Sequence, residues 1–294
     1  MRVLVTGASG HVGGAIAIAL ERDGHEVVGL ARHPGPVPGV YGRLDGNLAD
    51  PAASRRIADQ VARCDAVVHA AASLAHDPHD SSVALVNCLG TQQVVALAER
   101  WDVRSLVYVS SVPVIGRPVE LPVTEDHPVD PPTAYHASKL FGERLVALAA
   151  RRGLAAVSLR LTSPVGPGMP AGRILSAFVA AALEGAPLRV AGRGTRRQDY
   201  VDVRDVATAT ATALERRVTG TLNIAAGVSV SNRELADRVV AALGSRSAVE
   251  TAGGSDPEDD VAWEVSIARA TQGLGYAPAR SLEDSVRAVA GADG

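Results

Sequence analysis

Short apolar runs alternate with longer patterns of helical spacing through the first half of the chain. The apolar runs predict buried strands at residues 3–6, 26–30, 66–69, 105–109 and 156–161. Apolar positions with helical spacing predict helices between them, at residues 12–23, 51–63, 82–100 and 134–152. This alternation predicts an α/β architecture, in which helices cover both faces of a doubly wound parallel sheet.

The alternation loosens after about residue 165. Glycine and proline accumulate at residues 164–172, and later segments mix short strands with helices such as the one predicted at residues 231–243. We therefore expect a main domain at residues 1–165 and a smaller lobe at residues 166–294. Some segments of the lobe should return to the main domain, so that the two parts are interleaved.

Composition places the chain among ordinary globular proteins. With 294 residues, 47% of them hydrophobic, it can bury a core without disulfides or a structural metal. Cys64 and Cys88 are too few for a disulfide framework or a zinc site. We expect a reducing cytoplasm as the compartment, and we expect no metal site.

Charge and hydropathy argue against two classes of partner. The 29 basic and 32 acidic residues are interspersed, which leaves no basic stripe for nucleic acid and no polybasic membrane patch. No apolar run approaches the length of a membrane span, and the chain starts with a predicted strand rather than a signal peptide. We expect neither nucleic acid nor a membrane as a partner.

Lysine usage in this chain is unusual. There are 28 arginines and a single lysine, Lys139. Arginine has evidently been acceptable at almost every cationic position, so a site that keeps lysine needs a compact ammonium rather than a planar guanidinium. The difference points to chemistry at Lys139.

Glycines mark the first strand-to-helix turn, at residues 6–13. Glycine at such a turn lets the backbone approach a pyrophosphate while the N–H groups of the helix point at it. The turn therefore predicts a dinucleotide site, with a merely tight turn as the alternative. The predicted contacts at this turn are Gly7, Ser9, Gly10, His11, Val12 and Gly13.

The end of the second predicted strand bears on the choice of cofactor. Enzymes that use NAD usually place a carboxylate there for the ribose diol, but residues 28–33 contain no acid. Arg32, with His33 beside it, suits the 2′-phosphate of NADP(H) instead. NADP(H) is the favoured cofactor and NAD(H) the alternative, since Arg32 could also be a solvated loop residue.

Tyr135 and Lys139 are four residues apart on a predicted helix, which places them on one face about one turn apart. A phenol has a reference pKa of about 10, and a nearby ammonium favours its phenolate form. The pair can therefore exchange a proton with an alcohol or a ketone. Ser110 and Ser111 directly follow a predicted strand, where their hydroxyls could orient the substrate oxygen.

Three later segments, together with the glycine spacing, resemble the extended branch of the short-chain dehydrogenase/reductase superfamily, the epimerase/dehydratase-like proteins. Residues 159–168 resemble its LRxxNxxGP segment, residues 192–206 its GxGxxxRDFVxVxDV segment, and residues 274–278 its LGWxP segment. The resemblance covers nearly the whole chain. It implies a Rossmann-type NAD(P)-binding domain followed by a substrate-binding lobe, and it allows a homodimer.

The resemblance also implies roles for single residues. Ser111, five residues before Gly116, matches the catalytic serine, with Ser110 as its neighbour. Asn87 matches an asparagine associated with the active-site water network, with a solvated helix residue as the alternative. Lys139 matches the lysine that holds the nicotinamide ribose. Further cofactor contacts are implied for Asn47, Leu48, Ala70, Ala71, Ala72, Tyr135, Lys139, Pro164 and Val165.

Departures from the family pattern bear on the substrate. Where nucleotide-sugar members hold a diphosphate with an asparagine and arginines, this chain has Ser163, Gln198 and the acidic residues 256–260. A diphosphate would lose charge-assisted hydrogen bonds there. Three arginines could restore them from shifted positions, namely Arg173, Arg196 and Arg197. The predicted substrate contacts are Ser110, Ser111, Ser163, Arg173 and Gln198.

The sequence thus predicts an NAD(P)-dependent oxidoreductase that reduces a ketone or oxidises a secondary alcohol. Val112 and Pro113 follow Ser111 where sugar 4,6-dehydratases carry Asp-Glu, which argues against dehydration. A nucleotide-sugar 4-epimerase with tightly held NAD is the enzymatic alternative, and an NADP-sensing or scaffold protein is the non-enzymatic one. The expected partner is a small-molecule substrate.

Overall fold

The computed structural model describes residues 1–31, 43–45, 47–74, 77 and 79–291, with side chains at all of these except residues 43–45. Its strands are β1 (Arg2–Thr6), β2 (Glu26–Ala31), β3 (Arg43–Asp45), β4 (Ala66–His69), β5 (Ser105–Ser111), β6 (Ala156–Leu161), β7 (Ser163–Val165), β8 (Leu188–Val190), β9 (Arg197–Asp202), β10 (Gly220–Ile224), β11 (Ser229–Ser231) and β12 (Val249–Thr251). Its helices are α1 (His11–Arg22), α2 (Ala53–Gln60), α3 (Ser81–Arg100), α4 (Ala134–Arg151), α5 (Ile174–Glu184), α6 (Val203–Arg216), α7 (Asn232–Leu243), α8 (Ala268–Leu274) and α9 (Leu282–Val289).

A parallel sheet with the strand order β10-β6-β5-β4-β1-β2-β3 forms the main domain. The direction of strand addition reverses between β1 and β4. Open α/β sheets bind their ligands outside the carboxyl ends of the strands at such a reversal. The register of β1 and β4 ends with Thr6 opposite His69, so these two residues lie side by side at the expected binding edge.

Helices bury both faces of this sheet, which explains why its strands are apolar on both sides. Val3 and Val5 belong to one apolar core together with Ile16 of α1, whereas Leu4 belongs to a second core with Leu97 of α3. α1 packs against α6, and α3 packs against α4. The doubly wound α/β fold predicted from the sequence is confirmed.

The smaller lobe contains two short sheets, ordered β11-β9-β7 and β12-β8. Helices α5, α7 and α9 pack together beside them around a third apolar core, which includes Leu175, Leu235 and Val286. The chain then returns to the main domain, because β10 pairs with β6 and α6 packs on α1. The two parts are therefore interleaved, while the exact division at residue 165 stays a prediction.

The start of α2 differs from the prediction that placed it at Pro51. The helix begins at Ala53, because the Asp50 carboxylate accepts a hydrogen bond from the Ala52 N–H and closes a turn first.

By length and composition, α3 is also apolar enough to cross a membrane, contrary to the expectation from the sequence. Its Val94, Val95 and Leu97 are buried in the main domain, so α3 is a core helix of the fold.

Candidate active site

The glycine turn between β1 and α1 is built from close backbone contacts. Gly7 has a φ of +73°, and its N–H donates to the Leu30 carbonyl at 2.8 Å. A Cβ at Gly7 would lie 2.7 Å from the Ala71 nitrogen, and a Cβ at Gly13 would collide with the Gly7 carbonyl oxygen. Side chains are thus excluded at both positions. Gly10 caps α1 without a side chain, which leaves the first N–H groups of the helix uncovered.

A cleft of about 240 Å³ opens beside this turn. It is lined by Gly7, Ser9, Gly10, Leu30, Ala31, Asn47, Leu48, Ala49, His69, Ala70, Ala71, Ala72, Ser73, Val86, Asn87 and Gly90. Small residues and uncovered helix N–H groups fit a dinucleotide whose pyrophosphate lies against the backbone. His11, Val12 and Gly13 lie in the first turn of α1, immediately after this lining. Arg32 and His33, on which the preference for NADP(H) depends, lie outside the described residues.

His69 lines the cleft, and its ring lies between β1 and α3. Its ring lies 2.7 Å from the Thr6 hydroxyl at Nδ1 and 3.0 Å from the Thr91 hydroxyl at Nε2. Burial, with a smaller contribution from the Lys139 charge, lowers the pKa of His69 to about 3. His69 is therefore a neutral, hydrogen-bonded core residue.

Asn87 connects the segment after β4 to the start of α4. Its Oδ1 accepts from the Ser73 N–H at 2.7 Å, and its Nδ2 donates to the Ser73 carbonyl and the Ser138 hydroxyl, both at 3.0 Å. Ser138 in turn donates to the Tyr135 carbonyl at 2.6 Å. Asn87 is buried, so its interpretation as a solvated helix residue is wrong. Its predicted link to an active-site water network stays a prediction.

Lys139 is buried next to the cleft-lining His69, with only 3% of its surface exposed. Its Nζ donates to the Val109 carbonyl at 2.8 Å and lies 5.8 Å from the centroid of the Tyr135 ring and 4.9 Å from that of Tyr108. Thr133 caps α4 and accepts from the His136 N–H. The spacing of four residues thus brings the phenol and the ammonium together, as expected.

Burial dominates the electrostatics of this pair. It lowers the pKa of Lys139 to about 8, against the opposing charge of Glu143. It raises the pKa of Tyr135 to about 12, against the opposing charge of Arg173. The sequence led us to expect a favoured phenolate, but desolvation outweighs the charge of Arg173, so Tyr135 is a neutral phenol at pH 7.

The two candidate serines face different surroundings. Ser111 ends β5 just before a short 3₁₀ turn at Val112–Ile115, and its hydroxyl makes no hydrogen bond to any residue that the structure describes. Ser110 is buried, and its hydroxyl donates to the Glu143 carboxylate at 2.6 Å. Ser111 is thus free to meet a substrate oxygen, whereas Ser110 is engaged in the core and gains no support as a substrate contact.

The lobe positions the other candidate substrate residues. Ser163 pairs with Tyr200 in the small sheet, and Pro164 and Val165 follow it in β7. The Gln198 side chain accepts from the Tyr200 hydroxyl at 3.1 Å. Arg173 lies at the start of α5, close enough to Tyr135 for its charge to lower the pKa of that phenol.

Acidic residues pair with two of the three arginines that could have held a diphosphate. Arg196 pairs with Glu258 at 2.6 Å, and Arg197 pairs with Glu234 at 3.1 Å. Asp259 accepts from the backbone N–H groups of Arg193 and Thr195 at 2.7 and 3.2 Å. Asp260 pairs with Arg117 at 2.5 Å. Hydrogen bonds and ion pairs thus hold the acidic segment at residues 256–260 against the lobe and against the loop that follows Ser111.

A buried ion pair beside α4 had no counterpart in our sequence predictions. Arg160 of β6 donates from Nε and Nη2 to the Glu143 carboxylate, at 2.9 and 2.8 Å. Both side chains line a second, polar cavity of about 370 Å³, away from the glycine turn. Glu143 lies four residues after Lys139, and this spacing was a signal that could have been read.

Among the residues that the structure describes, no group of three or more His, Cys, Asp or Glu side chains could hold a metal ion.

Curated relatives perform several related reactions. The chain is 30% identical to dTDP-6-deoxy-L-talose 4-dehydrogenase (NAD(P)(+)) of Kitasatospora kifunensis, covering 97% of this chain and 93% of that protein. It is 32% identical to 2-alkyl-3-oxoalkanoate reductase of Stenotrophomonas maltophilia, covering 83% and 76%. It is 31% identical to UDP-glucose 4-epimerase of Mycolicibacterium smegmatis, covering 83% of each.

Solved structures agree with this family and with the fold. The enzyme WbmH of Bordetella bronchiseptica, solved with NAD+, superposes with a TM-score of 0.85 at 30% identity, covering 99% of this chain and 97% of that one. The UDP-glucose 4-epimerase of Thermus thermophilus, solved with NAD, gives a TM-score of 0.86 at 27% identity, covering 99% and 98%. The family model for the NAD dependent epimerase/dehydratase family matches residues 3–225. The chain therefore belongs to the NAD-dependent epimerase/dehydratase family, within the extended short-chain dehydrogenase/reductase superfamily.

Proposed function

We propose that this enzyme is an NAD(P)-dependent oxidoreductase that reduces a ketone or oxidises a secondary alcohol. The observation that carries the proposal is the environment of Lys139. The only lysine among 29 basic residues is buried with its Nζ 5.8 Å from the centroid of the Tyr135 ring. Burying an ammonium costs free energy, and buried titratable groups with perturbed pKa values cluster at functional sites.

In a carbonyl reduction, the residues of the chain have the following roles. A nicotinamide held in the cleft would supply the hydride, or accept it in the reverse direction. Tyr135, a neutral phenol at pH 7, donates its proton to the substrate oxygen, and the Ser111 hydroxyl hydrogen-bonds the same oxygen. Lys139 stabilises the phenolate that remains and holds the nicotinamide ribose. The glycine turn and the residues that line the cleft hold the rest of the cofactor.

Two relatives support this reaction class. One is named a 4-dehydrogenase and another a 3-oxoalkanoate reductase, and both names describe interconversion of an alcohol and a ketone. Two of the three candidate arginines, Arg196 and Arg197, already pair with carboxylates, which supports a substrate without a diphosphate. Val112 is buried and Pro113 has no side-chain proton to transfer, which argues against dehydration.

The decisive experiment is a panel of ketones and secondary alcohols, followed by NADPH and NADH absorbance with the purified protein. We expect turnover on at least one small carbonyl compound without a nucleotide. Because Cys64 and Cys88 are free thiols, the assay should use reducing buffer, in keeping with the cytoplasmic compartment that we propose. Binding of NADPH with no turnover on any compound would instead support a cofactor-sensing protein.

A nucleotide-sugar 4-epimerase is the second candidate, favoured by the relative from M. smegmatis. Such an enzyme would use the same three residues, retain its cofactor and show no net redox change. The two candidates are separated by the cofactor content of the purified protein and by incubation with UDP-glucose. Stoichiometric NAD together with formation of UDP-galactose would replace our proposal by the epimerase.

We propose NADP(H) as the preferred cofactor, with NAD(H) as the alternative, and the test is at Ala31. Ala31 ends β2 and lines the cleft, so Ala31→Asp should place a carboxylate beside the adenosine ribose. That charge repels a 2′-phosphate and accepts hydrogen bonds from a diol, so the ratio of kcat/KM for NADH to that for NADPH should rise more than about tenfold. Ala31→Asn is the uncharged control. A wild-type enzyme that already prefers NADH would contradict the interpretation of Arg32.

A further inference from the structure

A buried ionic network joins three elements next to the site. The Glu143 carboxylate of α4 accepts from Ser110 of β5 at 2.6 Å and from two nitrogens of Arg160 of β6 at 2.9 and 2.8 Å. The side chains of Glu143 and Arg160 are only 5% and 6% exposed. The mechanism above uses none of these three residues.

This network lies one helical turn from the proposed chemistry. Lys139 and Glu143 are four residues apart on α4, and they contact consecutive residues of β5, Val109 and Ser110. Two polar contacts, one turn apart on the helix, therefore fix the position of α4 along β5. Ser111 is the next residue of β5, so the same contacts set where the serine hydroxyl lies relative to Tyr135.

Stability alone does not account for a carboxylate at this position. A buried ion pair is often no more stabilising than apolar residues of the same volume, because desolvation offsets the attraction. A negative charge one turn from a desolvated ammonium has a further effect. It opposes the burial that lowers the pKa of Lys139 to about 8.

We propose that Glu143, held by Arg160 and Ser110, is a positioning residue that fixes α4 on β5 and supports the positive charge of Lys139. The proposal rests on the function proposed above for its link to turnover, but its electrostatic part concerns the free protein. The titratable and charged groups that act on or contact this ammonium are His69 on β4, Tyr108 on β5, and Tyr135 and Glu143 on α4. Cys88 on α3 acts on Tyr108, and Arg160 on β6 is paired with Glu143.

The single lysine allows a direct test. Protein labelled with ¹⁵N-lysine gives one side-chain signal, and its chemical shift against pH reports the ionisation of Lys139 without substrate or cofactor. We expect the wild-type midpoint near pH 8 and a midpoint about one pH unit lower in Glu143→Gln. Ser110→Ala, which keeps the ion pair, should titrate close to wild type.

Two further variants test whether a shifted midpoint comes from an unpaired Arg160 or from the loss of any carboxylate. Glu143→Gln leaves Arg160 without its carboxylate, so Glu143→Gln combined with Arg160→Met removes the unpaired charge and should still titrate below wild type. Glu99→Gln removes the carboxylate of the exposed pair with Arg152 and should leave the midpoint unchanged. If Lys139 titrates at the wild-type pH in both Glu143 variants, the proposal is overturned.

Turnover supplies the second readout. In Glu143→Gln, the fall of kcat at high pH should begin about one pH unit lower than in wild type, because the ammonium is lost earlier. A shifted titration together with an unshifted kcat profile would support the action of Glu143 on Lys139. It would contradict the role of Lys139 in the proposed reaction instead.

Discussion

Tyr135→Phe should lower turnover by at least about a hundredfold and leave cofactor affinity nearly unchanged. In the proposed mechanism the phenol exchanges a proton with the substrate oxygen, and phenylalanine cannot do so. The ring should stay in place, because its edge-to-face contact with His136, at 5.1 Å between centroids, needs no hydroxyl. Single-turnover hydride transfer and a binding titration with NADPH would measure the two effects separately.

Tyr276→Phe is the matched control for this change. Its hydroxyl donates to the Ala225 carbonyl at 2.9 Å, outside the site, so its loss should cost about 1 kcal/mol of stability and leave turnover normal. A Tyr135→Phe enzyme that keeps more than a tenth of wild-type turnover would remove Tyr135 from the mechanism.

Lys139→Arg should abolish most turnover, by at least about a hundredfold, although it keeps the positive charge. A guanidinium is wider and planar, and it should not fit between Tyr135, Tyr108 and the Val109 carbonyl while reaching the nicotinamide ribose. Lys139 is buried, so this is not an exchange between solvated residues on the surface of a helix. Melting temperature, NADPH affinity and single-turnover hydride transfer should be measured together.

Two variants guard against a loss of fold in Lys139→Arg. Lys139→Met keeps an unbranched chain of similar volume without a charge, and it should fold while remaining inactive. Arg144→Lys exchanges an exposed residue of the same helix and should behave as wild type. Near-normal hydride transfer in Lys139→Arg would refute the mechanism and make the single lysine a coincidence.

Five of the seven strands of the main sheet could be predicted from sequence, because parallel strands covered on both faces are apolar throughout, whereas β3 and β10 were not predicted. The start of α2 could not, because the Asp50 carboxylate closes a turn on Ala52 before the helix begins. Short strands such as β8 and β12 were missed. Their pairing joins segments about sixty residues apart, and no local pattern specifies that contact.

Composition and spacing alone predicted that Lys139 lies beside Tyr135. They could not predict whether Tyr135 is ionised. Whether a phenol beside an ammonium is charged depends on how much water reaches it, and at Tyr135 burial outweighs the charge of Arg173. The partner of Glu143 could not be predicted from the sequence either. Arg160 lies on a strand whose neighbours become known only with the sheet order.

The position of β10 has a consequence for how the molecule can be divided. Residues 220–224 follow much of the lobe in sequence, yet they complete the main sheet beside β6. A fragment that stops at residue 165 would leave the backbone groups of β6 without a neighbour on one side, and α1 without its packing against α6. We expect such a fragment to aggregate when expressed alone, and we expect protease cleavage within the lobe to leave the two pieces associated.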